Sequence, residues 1–228
     1  MSERLIGLRG VCFEYPGGRS VLDGLHFELA RGERIGMVDA NGSGKTTLLH
    51  LMVGLLRPRA GEVEMFGAVR RREEDFREVR ERAGLLFQDP EDQLFCPTVM
   101  EDVAFGPLNL GRSREEVPSI VARVLGRLGL EGYEERITYK LSGGEKRLVS
   151  LACVLAMEPD VLLLDEPAAG LDDATWDGLT EVLGGLDHSM LVVSHDRRFL
   201  KAVTDRAVRL HGGKIEPFDL DQPVPHAP

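Results

Sequence analysis

Apolar residues along the chain follow two strand-like patterns. Near the start, Val11-Cys12-Phe13-Glu14-Tyr15 and Leu25-His26-Phe27-Glu28-Leu29 alternate apolar and polar positions, with Pro16-Gly17-Gly18 between them as a turn. Alternation with a period of two predicts half-buried strands. Ile35-Gly36-Met37-Val38, Gly84-Leu85-Leu86-Phe87, Val161-Leu162-Leu163-Leu164 and Met190-Leu191-Val192-Val193 are instead continuously apolar. Such runs predict strands covered on both faces, as in a parallel sheet. Helical spacing lies between them. Leu48, Leu51, Met52, Leu55 and Leu56 fall on one helical face, as do Val117, Ile120, Val121, Val124, Leu125 and Leu128 within a helix expected over 113–129. Ser113 and Glu116 have the spacing of a capping box at its start. Leu148, Leu151, Ala152 and Leu155 mark a third helix. Strands alternating with helices predict an α/β protein with a largely parallel sheet. From about 212 glycine, proline and polar residues dominate, and a loose tail is expected over 216–228.

Polar residues gather where the apolar runs stop. Asp39 through Lys45 follow one run, Gln88 another, Asp165 and Glu166 a third, and Ser194, His195 and Asp196 a fourth. Ligands of open parallel sheets bind outside the carboxyl ends of the strands, so one shared site is expected at that edge.

Asn41-Gly42-Ser43-Gly44-Lys45-Thr46-Thr47 lies between a buried strand and an amphipathic helix. Glycines there let backbone N–H groups turn inward around phosphate, and the helix N-terminus adds partial positive charge. Lys45 is placed to reach the β- and γ-phosphates of a nucleotide and Thr46 to ligate Mg²⁺. The phosphate-loop fingerprint begins with glycine, whereas this chain has Asp39 at that position. Asp165 is expected to act on Mg²⁺ through water and Glu166 to polarise an attacking water. In Leu141-Ser142-Gly143-Gly144-Glu145, Ser142 and Glu145 again have capping-box spacing. That leaves the two glycines unexplained, because each costs about 1 kcal/mol relative to alanine in a helix. A helix start with bare N–H groups suits close approach to phosphate.

The run 141–145, ahead of Asp165-Glu166, resembles the signature motif of ATP-binding-cassette (ABC) ATPases, and the resemblance extends over about residues 5–215. It implies a P-loop NTPase (RecA-like) core with an N-terminal antiparallel β subdomain and an inserted helical subdomain at about 91–157, all within a domain spanning 1–215. It also implies that Gln88 is the Q-loop glutamine and that Ala169-Gly170-Leu171-Asp172 is the D-loop. His195 becomes the switch histidine and Tyr15 the aromatic that stacks on adenine. In the head-to-tail dimer of that family, Ser142, Gly143 and Gly144 of one subunit close over the γ-phosphate held by the other, with Asp172 at the seam. The implied catalytic residues are Glu166, His195 and Gln88, and the implied Mg²⁺ set is Thr46, Gln88 and Asp165. ATP and Mg²⁺ are the expected cofactors.

Gln88-Asp89-Pro90-Glu91-Asp92-Gln93-Leu94-Phe95 and the following Thr98 to Pro107 are similar to the extended Q-loop of energy-coupling-factor importers, especially those for cobalt and nickel. This implies a homodimer or heterodimer of ATPases on the cytoplasmic face of the membrane. It would be joined to a transmembrane coupling protein and a substrate-binding membrane component. Alternatives are a vitamin-type importer of the same kind and a non-transport ABC ATPase.

Composition narrows these readings. The 228 residues suit one compact unit with an insertion. There are 28 Lys and Arg against 38 Asp and Glu, a net charge of −10, which argues against nucleic acid as a partner. No apolar run has the length of a bilayer span, and the first residues lack the pattern of a signal peptide. Cys12, Cys96 and Cys153 show no paired spacing, so zinc and disulfides are not expected and an intracellular setting is. The histidines at 26, 50, 188, 195, 211 and 226 are scattered, so a transported metal is not expected to touch this chain.

Overall fold

A computed structural model describes residues 3–38 and 42–222. Two sheets form its frame. The first contains β1 (Arg4–Tyr15), β2 (Arg19–Ala30), β4 (Ala60–Met65) and β5 (Ala68–Arg70) in the order β2-β1-β4-β5, every pair antiparallel. The second contains β3 (Arg34–Val38), β6 (Ala83–Leu86), β7 (Val161–Asp165), β8 (Ser189–Val193), β9 (Arg206–His211) and β10 (Lys214–Phe218). Its order is β10-β9-β3-β8-β7-β6, parallel from β9 to β6 with β10 antiparallel at the edge.

The apolar runs explain why β7 and β8 lie in the middle. All five residues of each are buried. Successive side chains on a strand point to opposite faces. Val161, Leu163, Leu191 and Val193 join the core shared with the antiparallel sheet and α1 (Lys45–Met52). Leu162, Leu164, Met190 and Val192 join the core on the other face, built with α3 (Val99–Asn109), α4 (Val117–Arg127) and α5 (Gly143–Ala156). Each fully buried aliphatic side chain stabilises the fold by about 1.5–3 kcal/mol, so one strand contributes to two cores at once.

Helices α3 to α5 come between β6 and β7 in the chain. The remaining helices are α2 (Asp75–Arg82), α6 (Asp173–Gly184) and α7 (Arg197–Val203).

Three sequence expectations need correcting. Leu55 and Leu56 are not part of α1. Gly54 turns into the left-handed region at φ 73°, and a Cβ there would lie 2.3 Å from the Phe76 ring, so the helix stops and Leu55 is half exposed. The Ser113–Glu116 bonds form in both directions, yet they close a turn ahead of α4, which runs only from Val117 to Arg127. The expected tail from 216 overlaps β10, where Ile215 pairs with Leu210 and Phe218 with Ala207. An edge strand tolerates polar residues and Pro217, which hid it from a hydrophobic pattern. Residues 223–228 of that tail lie outside the described residues.

Candidate nucleotide site

The parallel strands β3, β8, β7 and β6 are neighbours in that order, and each delivers its functional segment at the same edge. Asp39 and Asn41, in the loop after β3, lie outside the described residues. From Gly42 the loop is defined. Gly42 and Gly44 have φ of 80° and 106°. A Cβ on Gly44 would sit 2.4 Å from Val21 Cγ1, so this position requires glycine for both conformation and space. Lys45 and Thr47 are buried at the start of α1. Among the described residues Ser43 Oγ, buried in the wall of the loop, has no hydrogen-bond partner. The Tyr15 and Thr47 hydroxyls are 2.9 Å apart, and the Tyr15 ring stays 40% exposed beside the cleft. That cleft holds about 430 Å³ and is lined by Tyr15, Lys45, Thr46, Gln88, Asp165 and Glu166, among others.

Thr46 Oγ donates to Asp165 Oδ2 at 2.5 Å. Burial pushes the Asp165 carboxyl above the usual carboxylate range, partly opposed by the Thr46 bond. Glu166 is held harder. Its N–H bonds to the Val193 carbonyl at 2.8 Å and its own carbonyl accepts from Arg147 at 2.9 Å. Its carboxylate accepts from Ser194 Oγ and from the His195 N–H, and it lies 3.0 Å from His195 Nδ1. The backbone of Glu166 has φ 51°, a left-handed conformation that costs a non-glycine residue about 1–3 kcal/mol. Strain of that size persists only when several bonds fix the residue, and six do so here, counting the Ala169 N–H, which also donates to the Glu166 carbonyl at 3.2 Å.

The signature segment lies elsewhere. Ser142 caps α5 and Glu145 completes the box, with Ser142 N–H to Glu145 Oε2 at 2.8 Å and Glu145 N–H to Ser142 Oγ at 3.3 Å. The Ser142 N–H, then the Tyr133 hydroxyl, hold the Glu145 carboxyl below its ordinary range. A Cβ on Gly143 would meet nothing within 4 Å, and one on Gly144 would only touch Leu171 at 3.4 Å. Nothing among the described residues therefore requires these two glycines. Asp172 caps α6 through Thr175, whose N–H keeps the carboxyl low. Ser142, Gly144 and Asp172 line a separate depression of about 1250 Å³, and no residue lining the nucleotide cleft also lines it.

The structure thus unites Tyr15, Gly42, Gly44, Lys45, Thr46, Thr47, Gln88, Asp165 and Glu166 around one cleft, with His195 joined to them through Glu166. Ser43 is the loop residue beside it. Ser142, Gly143, Gly144 and Asp172 are not brought to that cleft. Sequence reasoning placed Ser194 at a strand end of the expected site without giving it a role, and it missed Val21 and Arg147. Ser194 carried a signal, as a buried polar residue ending an apolar run. Arg147 carried none, because it stands in the charged run Glu145-Lys146-Arg147, where a cation is ordinary.

Comparisons with known proteins identify the family. The family model described as ABC transporter matches residues 22–169. The chain is 54% identical over 203 residues to an ABC transporter ATP-binding protein of Brucella suis biovar 1, covering 89% of this chain and 84% of that one. It is 41% identical over 215 residues to the energy-coupling factor transporter ATP-binding protein EcfA of Methanothermobacter thermautotrophicus, covering 92% and 69%. Among solved structures, cbiO1 of Clostridium perfringens, part of the ABC transporter complex cbiONQ, superposes with a TM-score of 0.82 at 30% identity over 94% of this chain and 87% of that one. A dimeric ATP-binding cassette in a post-hydrolysis state bound to ADP and phosphate superposes with a TM-score of 0.86 at 25% identity, over 93% and 98%. The chain belongs to the ABC transporter family and is one of its ATP-binding, ATP-hydrolysing subunits.

Proposed function

We propose that this ATPase powers an energy-coupling-factor importer for cobalt or nickel ions, working as a dimer on the cytoplasmic face of the membrane. The observation that carries the dimer is the separation of the cleft around Lys45 from the open face around Ser142. Each chain holds two half-sites with no shared lining residues, and two chains placed head to tail complete both.

In this reading Tyr15 stacks on adenine, and Asn41 through Thr47 cradle the phosphates with Lys45 as the central countercharge. Glu166 accepts a proton from the attacking water, while His195 braces Glu166 and faces the γ-phosphate. Ser142, Gly143 and Gly144 of the second subunit present backbone N–H groups to that phosphate, and Asp172 sits at the seam. The residues present fit Mg²⁺. The Thr46 hydroxyl and the buried Asp165 carboxylate are 2.5 Å apart, beside exposed Gln88, and all are hard oxygen donors. Thr46, Gln88 and Asp165 would hold the ion, which supplies charge neutralisation on the phosphates when bound.

Support for a membrane partner comes from the segment after Gln88. Phe95 and Phe105 are 66% and 49% exposed and stack edge to face at 4.9 Å. They border an apolar groove of about 260 Å³ floored by Leu85, Val154 and Met157. Exposed aromatics beside such a groove suit a docked helix. No described helix is long and apolar enough to cross a membrane, and in this reading the docked helix is contributed by the coupling protein. The likeness to the energy-coupling factor protein EcfA supports the importer type, and the metal cargo rests on the resemblance of residues 88–107 to the extended Q-loop of cobalt and nickel importers. Reconstitution with its coupling and capture proteins in vesicles tests this. ATP-driven uptake of ⁵⁷Co²⁺ or ⁶³Ni²⁺ is expected, and uptake of a vitamin in place of either metal would refute the cargo.

A further inference from the structure

The guanidinium of Arg147, on α5, joins two loops that lead to different parts of the molecule. Its Nη1 donates to the Glu166 carbonyl at 2.9 Å and its Nη2 to the Gln88 carbonyl at 3.1 Å. Nε is buried and has no partner among the described residues. Burial lowers the basicity of the guanidinium, against the pull of the Glu166, Asp89 and Asp165 carboxylates. A half-buried cation with one donor unmet is costly, and a function for the other two donors accounts for its presence better than packing does.

Further bonds fasten the stretch after β6 to the same helix. Lys146 pairs with Glu91. Gln93 Nε2 donates to the Ser150 carbonyl at 2.8 Å, and Gln93 Oε1 accepts the Phe87 N–H at 3.2 Å. Residues 87–93 and α5 therefore form one block. Among these ties, Arg147 alone also grips the end of β7. The atom it grips is the carbonyl of Glu166, whose left-handed backbone needs external bonds to persist.

We propose that Arg147 is a positioning residue for hydrolysis, its forked guanidinium holding the Gln88 loop and α5 in register with the backbone of Glu166. The proposal rests on the reading of Glu166 as the residue that polarises water. A planar fork spans two carbonyls at once, whereas a lysine ammonium presents a single centre.

The test compares Arg147→Lys, Arg147→Gln and Glu166→Gln in the full chain. Turnover at saturating Mg-ATP, affinity for a fluorescent ATP analogue and the thermal unfolding midpoint are measured. Both Arg147 variants are expected to lose about tenfold in turnover with affinity and midpoint unchanged, since the interaction acts on the route to the transition state. Wild-type turnover in Arg147→Lys overturns the fork. A parallel fall of turnover, affinity and midpoint overturns positioning in favour of a packing role. If Glu166→Gln keeps full turnover, the reading of the site fails and this proposal falls with it. If Glu166→Gln is inactive while both Arg147 variants stay at wild-type rate, only the Arg147 proposal fails.

Discussion

His195 Nδ1 lies 3.0 Å from Glu166 Oε2, although the two side chains meet the solvent very differently, at 71% and 8% exposure. The buried member is fixed by its neighbours: Ser194 Oγ donates to the same oxygen at 3.0 Å, and the His195 N–H reaches Oε1 at 3.1 Å. The exposed member carries that order outward. This pair is the physical link between the loop after β8 and the residue that follows β7.

His195→Ala removes the outer half of the link and leaves the Ser194 and backbone bonds to Glu166 in place. Turnover is expected to fall about 100-fold, the scale of losing one preorganised contact to charge that develops in the transition state. The affinity for ATP should stay within about twofold, because none of the phosphate-loop bonds is touched. Steady-state hydrolysis alongside equilibrium nucleotide titration separates the two effects.

Asp165→Asn should stabilise the nucleotide-free protein while damaging catalysis. Burial raises the folded-state pKa of this carboxyl. An acid with a raised folded-state pKa binds protons more readily when folded, so its contribution to stability falls as pH rises from the unfolded value through the folded one. At neutral pH the ionised carboxylate is a net cost, and the neutral amide still accepts the Thr46 hydroxyl bond. The unfolding midpoint is expected to rise, by about 2–4 °C for each kcal/mol recovered in a chain of this size. Scanning calorimetry at pH 7 checks this, and the gain over the wild type should shrink toward pH 4.

How far the sequence reveals the molecule depends on what sets each element. The central strands were legible because burial on both faces forces continuous apolar runs, as in Val161 to Leu164. Helix α2 was not, since only Phe76 and Val79 of its eight residues are buried and most of the rest form ion pairs such as Arg82 with Glu78. Strands β4 and β5 were missed for the same reason, with Val63 and Met65 the buried members among exposed or half-buried neighbours. At the site, Lys45, Glu166 and His195 were legible as reactive residues at strand ends. Arg147 was not, because its role is a pair of bonds to backbone carbonyls at Gln88 and Glu166, and a carbonyl has no sequence identity.

Gly143→Ala and Gly144→Ala separate the needs of the chain from those of its ligand. Neither glycine has a positive φ, and neither Cβ would clash with any described residue. Replacing glycine by alanine in a helix contributes up to about 1 kcal/mol, so the isolated protein should unfold at a slightly higher temperature. Hydrolysis should nevertheless fall at least about tenfold, as a methyl group intrudes where the phosphate of the partner subunit approaches the backbone. Wild-type turnover in both variants would remove the reason for assigning these N–H groups to a phosphate.

Glu166→Gln is expected to bind ATP and hold it, because the amide keeps the shape of the side chain while losing its capacity to take a proton from water. The two faces that require each other, around Lys45 and around Ser142, then stay bridged by uncleaved nucleotide. Gel filtration in saturating Mg-ATP should show a dimer that returns to monomer when nucleotide is removed, and wild-type protein should show that dimer only transiently. Adding Ser142→Arg to Glu166→Gln provides the decisive control. A bulky cation at an exposed helix cap is accommodated within one chain, yet it would obstruct the approach of a second chain's triphosphate. The double variant should therefore bind ATP as a monomer. A dimer that survives Ser142→Arg would mean that the subunits meet through some other surface, and the composite site would have to be abandoned even though the fold remains that of an ABC ATPase.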